Sequence, residues 1–308
     1  MSPRAGRRLP LALAALLLAA CAQGAAPRSG SAGPPGGAAR SLAGVQRWVY
    51  QLQFGDDHGL QPVIAAKADL AVIDPSRSGP DSADFSAAEV ARVKASGKLA
   101  LAYLSIGEAE DYRSYWQPGW APGTPAWIVM PDPDPRWEGN YVVDVRAPAW
   151  QAIMIARAKA LQALGYDGLY LDLVDNYQYW PAGQQPTMQK AMIDFITVLR
   201  AAVPGLLLVT QNASELAAVD GGRLLTVIDG TAQEEVYVQA NDEPQTEAYS
   251  RAEEAQLKAY QRAGKPVLTV DYATTAADCA AAVARARAQG YAPYCASDEL
   301  DQVWNLVP

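Results

Sequence analysis

An acidic side chain in an otherwise apolar segment is the first sign of chemistry in this sequence. Residues 165–175 (GYDGLYLDLVD) are predicted to form a buried β-strand that carries Asp172 near its C-terminal end. Side chains alternate along a strand, so the leucines beside Asp172 can pack under a helix while Asp172 points into an enclosed interior. Because burying an unpaired carboxylate is costly, Asp172 is either an ion-paired structural residue or a catalytic or ligand-binding residue at a strand end.

Polar residues end most of the strands that the sequence predicts, including the strand that carries Asp172. They are Asp74, Glu108, Asp144, Asp172, Asn212, Asp229 and Asp271. In an α/β barrel all strands run in the same direction, so their C-terminal ends form one rim, and catalytic residues gather there. Asp and Asn also cap helices, so we expect some of these residues to be structural and the others to line one acidic bowl.

A second carboxylate follows the predicted strand at 224–230. Hydrolysis of an acetal such as a glycosidic bond uses two carboxyl groups: one protonates the leaving oxygen, and the other attacks the sugar or activates water. Glu234 and Glu235 lie two predicted strands from Asp172 along the rim. Two side chains can bridge that separation across a pocket, so the spacing permits a carboxyl pair without proving one.

Aromatic rings accompany these carboxylates. Trp116, Trp120, Trp127 and Trp137 lie in a long connection at 109–140, and Tyr177, Tyr179 and Trp180 follow Asp172. Flat rings beside carboxylates suit the apolar faces and hydroxyl edges of pyranose units. The alternative is that the rings hold their own loops in place, and we expect this for at least half of them.

Strand-like segments alternate with helical patterns along most of the chain. The candidate strands are residues 48–54, 70–74, 99–107, 141–145, 168–174, 206–212, 224–230, 266–272 and 291–296. Between them, Ser86 and Pro148 mark helix starts and Gly165 marks a helix end. Parallel strands joined by helices form a barrel or a doubly wound sheet, and the chain length favours an α/β fold of the TIM (β/α)8 type. A barrel has eight strands, so one candidate is extra or marginal.

The N-terminal segment is typical of an exported lipoprotein. A basic stretch at 1–8 precedes an apolar run at 9–20 that ends at Cys21, in the order of a bacterial lipobox. Ala22 resembles the pattern that is sorted to the outer membrane, on its periplasmic or surface side. Acyl chains on Cys21 would anchor the protein without a transmembrane helix, whereas the alternative is an ordinary secretory leader with an incidental cysteine.

The sequence therefore divides into three parts. Residues 1–20 are predicted to be a signal peptide, and 21–44 the lipidated cysteine with a flexible tether rich in Ala, Gly, Pro and Ser. Residues 45–308 are predicted to form a single barrel domain, which we expect to be monomeric.

Charge and histidine content exclude several classes of function. The net charge of −8 argues against nucleic acid as a partner and would suit a cationic substrate. The single histidine, His58, excludes a multi-histidine metal site, and no metal or cofactor is expected. We expect His58 to have a loop or hydrogen-bonding role.

Two cysteines remain after lipidation, Cys279 and Cys295. If residues 276–289 form a helix that descends from the rim and 291–296 a strand that returns to it, both cysteines lie near the rim. A disulfide between them is then sterically plausible in an exported chain.

These motifs together resemble glycoside hydrolase family 114, the endo-α-1,4-polygalactosaminidase-like barrel proteins with bacterial and archaeal glycosidase relatives. The resemblance is carried by residues 50–52 (YQL), 72–75 (VIDP), 102–110 (AYLSIGEAE), 166–175 (YDGLYLDLVD), 211–212 (QN), 229–230 (DG) with Glu234, and 270–272 (VDY). It implies hydrolysis of α-1,4-linked galactosamine polymers, with Asp172 and Glu234 as the carboxylate pair. Leu173 stands where the polygalactosaminidases have Asn, and Glu235 beside Glu234 leaves the acid/base assignment open.

The resulting hypothesis is a lipid-anchored glycoside hydrolase acting on an extracellular or cell-envelope polysaccharide. Asp172 is predicted to be the nucleophile or base, and Glu234 the proton donor. Seven further residues are predicted to bind substrate: Asp74, Tyr103, Glu108, Asp175, Asn212, Asp271 and Tyr272. The main alternative is a non-catalytic lipoprotein that binds polysaccharide in the same bowl, and a third is another exported barrel hydrolase or sugar-modifying enzyme.

Overall fold

The computed structural model describes residues 40–54 and 59–307. The predicted signal peptide at 1–20, Cys21, most of the tether and His58 lie outside these residues. The predictions for these parts of the chain therefore stay predictions.

Eight parallel strands alternate with helices in a nearly closed barrel, as predicted. In spatial order they are β1 (Trp48–Gln51), β2 (Leu70–Ile73), β3 (Leu99–Ser105), β7 (Gly168–Asp172), β8 (Leu207–Gln211), β9 (Gly230–Glu234), β12 (Val267–Asp271) and β13 (Ala292–Cys295). A separate antiparallel sheet, the accessory sheet, contains β4 (Glu108–Glu110), β6 (Asn140–Val143) and β5 (Ile128–Pro131). Two short strands, β10 (Val238–Gln239) and β11 (Glu243–Pro244), pair with each other.

The helices cover the outside of the barrel. They are α1 (Gln61–Ala65), α2 (Ala87–Ala95), α3 (Pro148–Leu164), α4 (Gln185–Ala202), α5 (Leu224–Val227), α6 (Glu247–Arg262) and α7 (Ala276–Ala288). The predicted boundaries are confirmed for α2 and α3. Ser86 and Glu89 form a capping box before α2, whereas α3 has Pro148 in its first turn and ends at Gly165, whose φ of 94° needs a residue without a β-carbon.

The barrel interior is filled by aromatic side chains from non-adjacent strands. Tyr50 of β1 and Tyr170 of β7 have ring centroids 5.2 Å apart, and Trp48 contacts both rings. All three are almost fully buried. This layer closes the barrel below its C-terminal rim, so the space above it is a cleft with a solid floor.

Two of the nine predicted strands have other roles. Residues 141–145 contribute to β6 of the accessory sheet, which accounts for the extra strand. The prediction of a strand at 224–230 is wrong, since the apolar run there forms the short helix α5 and β9 begins at Gly230. A short apolar run fits the periodicity of a helix as well as that of a strand. The sequence of β9 (GTAQE) is mostly polar and did not indicate a strand, although most of its residues are buried.

The folded domain begins earlier than the predicted residue 45. Arg40 forms a 2.8 Å ion pair with buried Asp167, and Leu42 is buried against Gly230, where an added β-carbon would lie only 2.7 Å away. The last residues of the predicted tether, 40–44, therefore belong to the barrel unit. Across 40–54 and 59–307, no helix is both long and apolar enough to span a bilayer.

The predicted disulfide is present. Cys279 near the start of α7 and Cys295 at the end of β13 are bonded, with their α-carbons 5.9 Å apart. The bond ties a surface helix to the last barrel strand. It closes a short loop at the rim, next to the pairing of Asp271 with Cys295.

Loss of this disulfide is expected to lower the free energy of unfolding by about 3 kcal/mol, because the bond restricts a loop of roughly 15 residues in the unfolded chain. The comparison is between the wild type and a Cys279→Ser/Cys295→Ser protein in urea unfolding without reductant. Wild type with reductant should match the double variant. Equal unfolding midpoints for all samples would show that the bond contributes nothing.

Candidate active site

The C-terminal ends of the barrel strands surround a cleft of about 720 Å³. Its lining includes eleven carboxyl residues: Asp74, Glu108, Glu110, Asp132, Asp134, Asp172, Asp175, Glu234, Glu235, Asp298 and Glu299. Three arginines also line it, and each is ion-paired with an acid: Arg77, Arg113 and Arg136. Since carboxylates outnumber these paired cations, the cleft attracts positively charged ligands.

Asp172 lies at the end of β7 and is buried, as the sequence predicts. Tyr103 Oη donates to its Oδ2 at 2.7 Å, and the backbone N–H of Leu173 donates to its Oδ1 at 2.7 Å. The pairing of β3 with β7 places Ser105 beside Asp172, so Tyr103 reaches the carboxyl from one strand away. Both carboxyl oxygens are therefore fixed in position.

Glu234 lies at the end of β9 and has a matching environment. Asn212 Nδ2 donates to its Oε2 at 2.9 Å, and Tyr272 Oη donates to its Oε1. The two carboxyls thus each accept one hydrogen bond from an N–H group and one from a tyrosine hydroxyl. A tyrosine hydroxyl can donate or accept, so either carboxyl can carry a proton without losing its tyrosine partner.

The two acids influence each other across the cleft. Burial raises the pKa of Asp172, and the charge of Glu234 raises it further, to about 8. Hydrogen bonds from Tyr103 and Leu173 act in the opposite direction. Asp172 therefore holds its proton more tightly than an ordinary aspartate does, because burial and the neighbouring acid disfavour its charged form.

Three residues that directly follow strand ends have left-handed backbone conformations. They are Leu173, with a φ of 55°, Asn212, with a φ of 63°, and Glu235, with a φ of 54°. Each turns the chain sharply at the rim. The side chains of Asp172 and Glu234, just before a turn, and of Asn212, at a turn, line the cleft. Such strain clusters at functional sites.

Leu173→Asn is expected to raise the free energy of unfolding by about 0.5–1 kcal/mol, because Asn adopts the left-handed conformation more readily than Leu. Urea unfolding measures this change. Leu225→Asn is the control, since Leu225 lies in helix α5 and the same substitution there should destabilise. Destabilisation by both substitutions to the same extent would contradict the backbone argument.

Asp74 lines the cleft, but its carboxyl is occupied. Arg113 donates to both of its oxygens, at 3.0 and 2.7 Å, and also binds Glu110. The backbone N–H of Ser76 donates to Asp74 Oδ1 at 2.8 Å. Asp74 is therefore held in a buried ion-pair network, and its predicted substrate contact is restricted to the edge that Arg113 leaves open.

The cleft brings together six of the predicted substrate-binding residues: Asp74, Tyr103, Glu108, Asp175, Asn212 and Tyr272. Burial raises the pKa of Asp175 to about 7, so this acid is partly protonated near neutrality. Glu235 also lines the cleft, but its Oε1 accepts from the backbone N–H of Ala240 at 3.0 Å. That bond turns Glu235 toward Ala240, which directly follows β10, and distinguishes it from Glu234.

Three predicted rim residues lie elsewhere. Asp271, which is predicted to bind substrate, is buried outside the cleft lining, and its Oδ1 accepts from the backbone N–H groups of Tyr237 and Val238 at 2.6 and 3.0 Å. Asp229 precedes β9 instead of ending a strand, and it pairs with Arg200. Asp144 follows the accessory strand β6 and pairs with Arg146 outside the cleft.

Most of the predicted sugar-binding rings are structural. Trp116, Trp120 and Trp127 pack against one another and against Tyr141 and Trp150. Tyr177 is buried against Glu215, and Arg146 covers Trp180. Trp137 and Tyr179 line the cleft, and Trp137 is 43% exposed.

Sequence reasoning missed several cleft residues. Arg113 and Asp132 lie in the long connection at 109–140, where no periodic pattern indicates which side chains turn inward. Tyr50 and Gln211, whose side chains hydrogen bond at 3.0 Å, lie on the motifs 50–52 and 211–212. These two motifs were the sequence feature from which Tyr50 and Gln211 could have been identified as cleft residues. Across residues 40–54 and 59–307, no group of histidine, cysteine and acidic residues is arranged to hold a metal ion.

Comparisons with known proteins agree with this geometry. The model of glycoside-hydrolase family GH114 matches residues 26–307. An uncharacterized protein of Deinococcus radiodurans is 38% identical over 310 residues, covering 96% of this chain and 98% of that protein. The glycoside hydrolase domain of PelA from Pseudomonas aeruginosa superposes with a TM-score of 0.68 at 22% identity, covering 84% of this chain and 97% of the domain. Ega3 from Aspergillus fumigatus, solved in complex with galactosamine, superposes with a TM-score of 0.62 at 17% identity, covering 84% and 94%.

Proposed function

This chain belongs to glycoside hydrolase family GH114 and is a glycosidase, and from that premise we propose that it cleaves α-1,4-linked galactosamine-containing polysaccharide with Asp172 and Glu234. The observation that carries the proposal is the carboxyl pair itself. Two acids with matched hydrogen-bond donors face one acidic cleft, and the charge of Glu234 helps to raise the pKa of Asp172. A surface that only binds sugar has no need of such a pair.

The proposed roles divide the chemistry between the two acids. Asp172 is more deeply buried than Glu234, which suits the nucleophile or base that must approach the anomeric carbon from a defined direction. Glu234 has the longer side chain and is less buried, which suits the donor that protonates the leaving oxygen. Tyr272 donates a hydrogen bond to Glu234 Oε1 and so holds this carboxyl in position.

The substrate class follows from the charge of the cleft. Carboxylates line it on several sides, so an ammonium-bearing sugar is favoured over a neutral one and an anionic sugar is disfavoured. Trp137 and Tyr179 offer rings for the apolar faces of the sugar units. Ega3 supports the choice of galactosamine, since it has a similar fold and was solved with that sugar.

The substrate assignment is tested with a panel of α-1,4-linked polymers of the galactose series that carry positive, neutral or negative units. De-N-acetylated α-1,4-linked polygalactosamine, its N-acetylated form and α-1,4-linked polygalacturonate are incubated with the full chain, and new reducing ends are counted. We expect the fastest release from the amine-bearing polymer and none from the anionic one. Faster cleavage of polygalacturonate would overturn the proposed substrate.

The catalytic efficiency kcat/KM on this polymer is expected to rise as the pH rises through about 8, the raised pKa of Asp172. Asp172 can act as nucleophile or base only in its ionised form, and that form becomes the major one above this pH. The pH dependence of kcat/KM from pH 5 to pH 10 measures this change. An efficiency that does not increase between pH 6 and pH 9 would contradict the role of Asp172 as nucleophile or base.

We also propose that the protein is an exported lipoprotein anchored through Cys21, as residues 1–21 indicate. An anchored glycosidase would act on polysaccharide in or outside the cell envelope. Detergent phase partitioning of the wild type and of a Cys21→Ser protein tests this anchor. The wild type should enter the detergent phase and the variant the aqueous phase, and identical partitioning would overturn the proposal.

A further inference from the structure

A second pair of acids lies in the cleft, on the accessory sheet. Glu108 of β4 is 1% exposed, yet it lines the cleft. Its Oε2 accepts from Asn140 Nδ2 of β6 at 3.3 Å, whereas its buried Oε1 has no donor among the described residues. A buried carboxyl oxygen without a donor is costly, so Oε1 needs a proton, a water molecule or a ligand in the cleft.

Asp132, which follows β5, lines the cleft together with Glu108. Burial raises the pKa of Glu108 to about 9, and the charge of Asp132 adds to the increase. The groups that face Glu108 from the other elements are Asp172 of β7 and Tyr179, and neither is a cation. In the free protein Glu108 therefore holds a proton near neutral pH.

The nearby cations are bound to other acids. Arg113 binds Asp74, and Arg136 binds Asp134 and Asp298. Because of these ion pairs, neither arginine is available as a partner for Glu108 or Asp132. A positive ligand is the missing partner.

Sugar-binding surface adjoins the pair. Trp137 lies in the connection between Asp132 and Asn140, in a short 3₁₀ helix (Pro135–Trp137), and its 43% exposed ring lines the same cleft. Tyr179 also lines it, close to both acids. An anionic pair beside an aromatic ring is suited to a sugar that carries an amine.

We infer that Glu108 and Asp132 form an ammonium subsite, at which the amine of a hexosamine unit supplies the donor that the buried Oε1 of Glu108 lacks. The inference rests on the proposed function and deepens it, because it assigns the choice between amine-bearing and N-acetylated units to this pair. The exchange is balanced: the hexosamine arrives as an ammonium ion, one proton leaves to solvent, and both carboxylates then face the ammonium. An N-acetylated unit is neutral and releases no proton.

The test is calorimetry of oligosaccharide binding in two buffers that differ in ionisation enthalpy, which gives the number of protons released. An Asp172→Asn background prevents turnover and removes a second cleft acid with a raised pKa, while Asp175, whose pKa is also raised, is common to every variant compared. We expect about one proton released per bound α-1,4-linked galactosamine oligosaccharide, and about none with Glu108→Gln added. The affinity for this ligand should fall about tenfold, while the affinity for the N-acetylated oligosaccharide should change little.

Two further variants keep the result interpretable. Asp132→Asn should reproduce the loss of proton release at a less buried position, and Glu138→Gln, at an exposed acid outside the cleft, should not. Proton release that is unchanged in both Glu108→Gln and Asp132→Asn would overturn the inference, even if the wild type cleaves the polymer. Failure of the wild type to cleave any galactosamine polymer would instead overturn the proposed function.

Discussion

Asp172→Asn is expected to lower kcat on the galactosamine polymer by about a thousandfold or more. The amide has nearly the shape of the carboxyl, so it should keep a hydrogen bond with Tyr103. It can neither attack the anomeric carbon nor accept a proton from water. The loss should therefore appear in kcat, with KM almost unchanged.

Asp144→Asn is the matched control for this substitution. Asp144 is an acid at the end of a strand, but it pairs with Arg146 outside the cleft. Its replacement should leave kcat within about twofold of the wild type. Equal losses from Asp172→Asn and Asp144→Asn would mean that Asp172 acts through stability alone.

Glu234→Gln is expected to cost about a hundredfold to a thousandfold or more in kcat on the polymer, because the proton donor is lost. Activity on an aryl galactosaminide with a good leaving group should fall much less, since such a group departs without protonation. Asp172→Asn should be inactive on both substrates. Comparing the polymer with the aryl substrate therefore separates the two roles.

Glu235→Gln provides the adjacent comparison. Its carboxyl is held by the backbone N–H of Ala240, so we expect a loss of less than about tenfold on the polymer. A larger loss with Glu235→Gln than with Glu234→Gln would exchange their assignments. Full activity of Glu234→Gln on the polymer would remove Glu234 from the mechanism.

The part of the site that the sequence predicts best lies on regular strands. Asp172 follows an unbroken apolar run, so its strand, its burial and its place at the rim could all be predicted from periodicity. Glu234 was assigned from a motif, although the strand before it was placed too early. The error arose because the buried residues of β9 include Thr231 and Gln233, which look like loop residues in sequence.

Contacts that depend on loop geometry could not be predicted in the same way. Asp271 ends a strand as Asp172 does, yet it turns to backbone N–H groups and not to the cleft. Asp132 and Arg113 lie in a connection without a repeating pattern, and only the accessory sheet places them at the cleft. Side-chain direction at a strand end depends on the backbone of the next few residues, which local sequence does not determine.

The most direct test of the central claim is the release of reducing ends from de-N-acetylated α-1,4-linked polygalactosamine by the wild type and by an Asp172→Asn/Glu234→Gln protein. Both proteins are first shown to have the same unfolding midpoint. We predict oligosaccharide products with the wild type and none above background with the double variant. Equal release by the two proteins, or none by the wild type, would contradict a glycosidase site built on this carboxyl pair.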